Sequence, residues 1–252
     1  MSATISVTFG TLSLDSTNNI TCKPLTEKSG KPVQTTNIPV TDGAIAEEAK
    51  LGPKTITIEG DIAGTSHDDL RTNLDALHAG LLGQGIAKLT KDNERYIYCQ
   101  LKDFSYSYGH LTSFATWSAT FIAHFPFWLA ETPTTDERVP TSEEGYVLAN
   151  AGNAPTRVKV EITADGEIAD DCKVENVTTV KSFQYRGTIA TTKKLEVDNR
   201  YDTDDFQVLN DSANDHTNFE GDFLTLNPGN NTIKYTGTVG ATVLITYRKA
   251  WY

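Results

Sequence analysis

The chain has 252 residues, 38% of them hydrophobic and 22% charged, with 33 Asp and Glu against 22 Lys and Arg and a formal net charge of −11. That composition excludes a disordered chain, and no apolar run approaches the ~20 residues a membrane helix needs. The acidic balance, without any basic stripe, excludes sequence-reading nucleic-acid binding.

The N-terminus, MSATISVTFG, carries neither a basic patch nor a long apolar core, so the expectation is a chain made in a cytoplasm without a cleaved secretory signal. Ile5, Val7 and Phe9 alternate with polar residues as a strand does. Residues 23–54 are weakly patterned and interrupted by Pro24, Gly30, Pro32, Pro39, Gly43 and Pro53, which suggests a long hairpin or an excursion from the domain. Ile56, Ile58 and Ile62 resume the alternation around Gly60.

One helix is predicted over residues 66–83. Ser66-His67-Asp68-Asp69 is a capping-box pattern with Asp69 in place of Glu or Gln. Leu70, Leu74, Leu77 and Leu81 form one apolar stripe. Gly83 and Gly85 end it.

Phe104, Tyr106 and Tyr108 then alternate, Gly109-His110 marks a turn, and a long strand follows. Its inward face reads Ala115, Trp117, Ala119, Phe121, Ala123, Phe125; its other face is mostly polar, with Thr116, Ser118, Thr120, Ile122 and His124. The strand runs into His124-Phe125-Pro126-Phe127-Trp128-Leu129, where Pro126 ends the ladder because it lacks a donor. Phe125, Pro126, Phe127 and Trp128 are the candidate seam against a second domain or a neighbouring subunit.

Residues 131–145 are charged, rich in Pro and Thr and without period, which reads as a linker between a first domain, 1–130, and a second, 146–252. The second half alternates throughout, at Val158, Val160 and Ile162, at Leu195 and Val197, at Phe206 and Val208, at Leu224 and Leu226, at Ile233 and Tyr235, and at Val243, Ile245 and Tyr247. Short strands with turn signals between them predict a β-sandwich.

Chemistry is sparse. His67, His78, His110, His124 and His216 are scattered singly, and no hydrolase, P-loop or dinucleotide motif occurs. Cys22, Cys99 and Cys172 match no metal spacing and read as buried thiols. Asp211, Asn214, Asp215 and His216, with Asp202, Asp204 and Asp205 upstream, lack the calcium-loop glycine and read as a solvated acidic loop. Tyr96, Tyr98, Tyr106 and Tyr108 read as aromatic pairing between neighbouring strands. The chain is therefore expected to be no enzyme and to use no metal or cofactor.

Three segments in order resemble the distal tail protein family of siphophages: the aromatic HFPFWL, the turn-and-strand NAGNAPTRVKVEI over 150–162, and the LNPGNNTIKYTG and VLITYRKAWY elements of 226–252. The resemblance covers essentially the whole chain. It implies a mainly β fold, with an N-terminal β-sandwich or split barrel carrying one helix and a galectin-like or carbohydrate-module-like C-terminal β-sandwich. It implies a structural adaptor at the virion tail tip: a homohexameric ring with the tail tube protein on one side, the tail-associated hub on the other and, in many phages, receptor-binding proteins. DNA would pass through its lumen. The rival reading is a carbohydrate-binding lectin, whose candidate aromatics are Tyr185, Tyr201, Phe219, Tyr235 and Trp251.

Overall fold

The computed structural model describes residues 6–14, 20–30, 35–37, 44–46, 51–109, 113–140, 145–169, 172–201, 206–237 and 240–252. The chain divides into two units, Met1–Trp128 and Leu129–Tyr252.

The first unit contains β1 (Val7–Phe9), β2 (Leu12–Ser13), β3 (Ile20–Cys22), β4 (Thr26–Lys28), β5 (Thr35–Asn37), β6 (Ala44–Ala46), β7 (Lys54–Ala63), α1 (His67–Leu82), β8 (Ile86–Lys91), β9 (Arg95–Tyr108) and β10 (Phe114–Ala123). Its main sheet runs β2-β1-β8-β9-β10-β7-β3, with β4 also on β7. All its pairs are antiparallel. Within 23–54, β5 and β6 pair as a hairpin and β4 stays on the main sheet.

The helix forms where the leucine stripe predicts it. Ser66 Oγ accepts from the Asp69 amide at 3.2 Å. Asp69 does not reach back to Ser66; its carboxylate takes the Thr65 amide at 2.7 Å and the Thr65 hydroxyl at 3.0 Å. These donors hold the Asp69 carboxyl below its ordinary range. Leu70, Leu74, Leu77 and Leu81 are buried. Gly83 caps the helix in right-handed geometry, and the chain reverses at Gly85, φ 60°, a conformation that favours glycine.

The second unit begins within β11 (Trp128–Ala130) and continues through β12 (Thr134–Arg138), β13 (Gly145–Asn150), β14 (Thr156–Thr163), β15 (Cys172–Asn176), β16 (Lys181–Tyr185), β17 (Lys194–Asp198), β18 (Gln207–Asn210), β19 (Ala213–Asn214), β20 (Phe219–Gly221), β21 (Thr225–Leu226), β22 (Gly229–Thr236), β23 (Thr242–Tyr247) and β24 (Ala250–Trp251). One sheet has the order β12-β23-β14-β17-β18-β19, with β21 beside β14, and the other β13-β22-β15-β16-β20. Val158, Val160, Ile162, Val174, Phe183, Ile233, Tyr235, Val243 and Ile245 fill the core between them. This is a two-sheet β-sandwich within the expected mainly β fold.

Two asparagines build the turns singled out in sequence. Asn150 is buried, accepts from the Gly152 amide at 3.0 Å and donates to Ala154 O at 3.1 Å. Asn231, also buried, accepts from the Asn227 amide and donates to the carbonyls of Asn227 and Gly229. Each amide side chain satisfies backbone groups that the turn leaves without ladder partners.

Three expectations need correction. The stretch 131–145 is not all linker: β12 lies inside it and pairs with β23 from Thr134↔Tyr247 to Arg138↔Val243. An edge strand with mostly exposed residues needs no apolar alternation, so its composition mimics a linker. Phe125 does not end an inward face. β10 stops at Ala123, and Phe125 is 48% exposed beyond it. The four tyrosines lie on one strand, β9, not on neighbouring strands. His110, Asp170, Asp171, Asp202, Asp204 and Asp205 lie outside the described residues.

Candidate functional site

The register of β7, β10 and β9 sorts their side chains into rows. On one face the rows are Asp61–Thr116–Ser107, Glu59–Ser118–Ser105 and Thr57–Thr120–Asp103. Every member is a hydroxyl or a carboxylate. Thr57 and Thr120 hydroxyls lie 3.5 Å apart, and Lys23 Nζ reaches Asp61 at 3.3 Å. Small side chains leave a depression of about 340 Å³ lined by Lys23, Glu59, Ser105, Ser107, Thr116 and Ser118, among others. Three carboxylates and one lysine make this face acidic.

On the opposite face the rows are Ile62–Ala115–Tyr108, Gly60–Trp117–Tyr106, Ile58–Ala119–Phe104 and Ile56–Phe121–Leu101. The ladder shifts between Thr120 and Phe121, where Lys102 is the extra residue that keeps both Asp103 and Leu101 on their proper faces. Gly60 makes room for Trp117: a Cβ there would sit 2.7 Å from the indole and 2.0 Å from Thr21 O. At the β9 margin the rows end in partly exposed rings. Tyr106 is 49% and Tyr108 47% exposed. His78 stacks on Phe104 at 5.0 Å and His67 tilts against Tyr108 at 5.7 Å, so these two helix-surface histidines line the same margin.

The candidate seam divides in two. Pro126 and Trp128 are buried, while Phe127 is half-buried and Phe125 exposed. Trp128 Nε1 donates to Glu27 Oε2 at 2.9 Å. The same oxygen takes Lys54 Nζ at 3.1 Å, and that ammonium lies 6.0 Å from the Trp128 ring centroid. Lys54 is only 1% exposed, so Glu27 compensates a buried charge. Sequence reading missed Glu27 and Lys54; a lysine at the inward position two residues before Ile56 was the available signal.

In the second unit the lectin candidates are divided between core and surface. Tyr185 and Tyr235 are in the core, and Phe219 stacks between Phe183 and Phe223. Tyr201 lies under the Arg157 guanidinium, 4.6 Å from ring centroid to Cζ, and Trp251 belongs to β24. The acidic loop is used internally. Asp211 pairs with Lys193 at 2.8 Å. Asp215 accepts from the Tyr185 hydroxyl and, at 2.9 Å, from Asn218 Nδ2. These donors, the tyrosine first, hold the Asp215 carboxyl below its ordinary range, whereas burial and then Asp215 push Tyr185 up to about 12. No group of three metal-ligating side chains occurs among the described residues. The three cysteines form no disulfide, and burial pushes the Cys99 thiol up to about 12.

Two family models match the chain: the phage tail protein RIFT-related domain over residues 7–117, and the siphovirus-type tail component, C-terminal domain, over residues 151–251. No curated protein matches at a significant level. Among solved structures, the crystal structure of the SPP1 Dit (gp 19.1) protein, described as a paradigm of hub adsorption apparatus in phages infecting Gram-positive hosts, is similar in fold. It has a TM-score of 0.75 at 16% identity, covering 96% of this chain and 98% of that one. The phage p2 baseplate in its activated conformation matches at 0.49 with calcium and 0.47 with strontium, at 9% and 10% identity. Both cover 96% of this chain and 97% of the other. A mainly β chain with one matched domain in each half is a structural component of a bacteriophage tail. The chain belongs to the siphophage tail-component family and is a distal tail protein.

Proposed function

We propose that this chain closes into a homohexameric ring at the end of the tail tube, joins it to the hub and receptor-binding apparatus, and lets DNA pass through its lumen. It is made in the host cytoplasm and works as an adaptor without catalysis. The observation that carries the reading is the acidic hydroxyl face of β7, β10 and β9. Its one lysine, Lys23, is paired with Asp61, while Glu59 and Asp103 add further negative charge. A lumen lined by that face would repel phosphate and let the duplex slide, where a basic lining would bind it. Six copies carry a formal charge of six times −11, or −66.

The segment Phe125–Trp128 serves as the seam in this reading. Trp128 locks it to Glu27 of the first unit, and Phe125 is left outward for a neighbour. The second unit is a separable domain that decorates the ring. Electron microscopy of the purified chain tests the proposal: six-fold closed rings support it. Monomers at every concentration, or open filaments, would contradict it. The stacked rings of Phe183, Phe219 and Phe223 pack with the core of the second unit and give the lectin alternative no sugar-binding platform.

A further inference from the structure

We infer that the free edge of β13, in the second unit, takes an extended, uncharged segment of another tail protein as an added strand.

β13 ends its sheet and, among the described residues, pairs with β22 alone. In an antiparallel edge strand every second residue turns both its amide and its carbonyl away from the sheet. Such a row joins other chains unless it is blunted. The other three sheet ends of the sandwich are blunted. β12 carries Asp136, Glu137 and Arg138, β19 has two residues, and β20 has three with Glu220 at their centre. β13 has six residues, with no charge and no proline among them.

The side chains beside this edge define the chemistry of the partner. Gly145, Val147 and Ala149 are exposed on the outer face, Val147 at 56%. Val147 is opposite Thr232, whose carbonyl takes the Val177 amide at 2.9 Å, so Val147 and the exposed Val177 flank Thr232 in one row. That row suits small or β-branched neighbours. On the inward side the Tyr146 hydroxyl is buried and has no hydrogen-bond partner among the described residues. Arg138 of β12 lies over its ring, 5.7 Å from the centroid. A buried hydroxyl left without a partner costs stability, and an added strand with Thr, Ser or Asn on its inward side brings a polar group to that margin.

Size and charge select a strand of a different protein over a second copy. Six residues at ~3.3 Å each give an edge about 20 Å long, and with sheet faces ~10 Å apart the strip is on the order of 200 Å². A stable contact between two folded proteins needs about 800 Å² from each. A single added strand needs far less, because main-chain hydrogen bonds along the edge supply its affinity. Two copies that each carry −11 also repel. The same charge draws in an uncharged segment with basic flanks, and Glu137 is exposed on the neighbouring β12 to meet them.

The test is residue-resolved amide hydrogen exchange of the full chain, alone and within tails purified from the phage that carries it. The expected result is exchange at least about ten-fold slower in the tail at alternate residues of Gly145–Asn150, with β12 unchanged. Val147→Lys puts a charge beside the edge and is expected to lose that protection, with circular dichroism as the check on folding. Ala149→Lys, also at an exposed position, decides the matter if the first variant fails to fold. Thr135→Lys, the same charge change on β12, is the control and keeps the protection. Equal exchange in the two states overturns the proposal. So does protection already present in the isolated chain, which makes a second copy the occupant. Protection spread evenly over β12 and β13 is occlusion without strand pairing and overturns it too, as does protection that the folded Lys variants retain. Mass photometry of the isolated chain tests the ring separately, so either reading can fail without the other.

Discussion

The indole of Trp128 and the carboxylate of Glu27 meet at 2.9 Å across 101 residues of chain, and the oxygen they share also holds the buried ammonium of Lys54. The last residue of the first unit is thus tied to β4 and the start of β7. Trp128→Ala removes a buried large aromatic and is expected to cost about 3–5 kcal/mol. Trp128→Phe, losing mainly the hydrogen bond, should cost nearer 1 kcal/mol. Glu27→Ala leaves Lys54 buried without that carboxylate. Because Glu27 still sees solvent, the expected cost is about 1–3 kcal/mol, below that of breaking a fully buried pair. Adding Lys54→Met should recover part of it. Denaturant unfolding of wild type, Trp128→Ala, Trp128→Phe, Glu27→Ala, Lys54→Met and the Glu27→Ala/Lys54→Met double variant measures each value, and strict additivity of Glu27→Ala and Lys54→Met would show that the pair is not coupled.

Val180 sits at the turn between β15 and β16 with φ 56° and 84% exposure. A β-branched residue is strained in the left-handed region, which Asn tolerates. Val180→Asn is expected to raise stability by about 1 kcal/mol, read as a higher thermal midpoint. A lower midpoint would show that Val180 makes contacts worth more than the strain.

The Asp215 carboxyl, held low by Tyr185 and Asn218, binds its proton less readily in the folded chain than in the unfolded one. It therefore contributes stability above the ordinary Asp pKa of about 3.9, and that contribution disappears as pH falls through the lowered value. Tyr185 stays a donor across neutral pH. The difference in stability between wild type and Asp215→Asn should be largest near neutrality and shrink on acidification below pH ~4. A constant difference from pH ~7 to ~2 would remove Asp215 from the acid response.

Expressed alone, residues 129–252 should unfold cooperatively at the midpoint they show within the full chain. A fragment without a cooperative transition would mean that the second unit depends on the first.

What the sequence made legible follows from period. Inward alternation exposed β7, β10, β14, β22 and β23, and the leucine stripe with Ser66 exposed α1. β12 stayed hidden because its side chains alternate only between half-buried and exposed, so Thr134-Thr135-Asp136-Glu137-Arg138 carries no apolar signal. Phe125 misled because apolar spacing persists past Ala123 while the ladder stops there. The polar face of β10 was readable by itself. Its match to Glu59, Asp61 and Asp103 was not, since it depends on cross-strand register, and beside Asp103 that register shifts at a bulge that no local pattern announces. Glu27 and Lys54 are partners only through folding.

The most direct measurement of the central claim is a cryo-electron microscopy reconstruction of the purified chain. The account predicts a closed six-fold ring whose lumen is faced by Glu59, Asp61 and Asp103 with the hydroxyls of Thr116, Ser118 and Ser105 between them. A lumen lined mainly by Lys and Arg, or particles that never close, would contradict it.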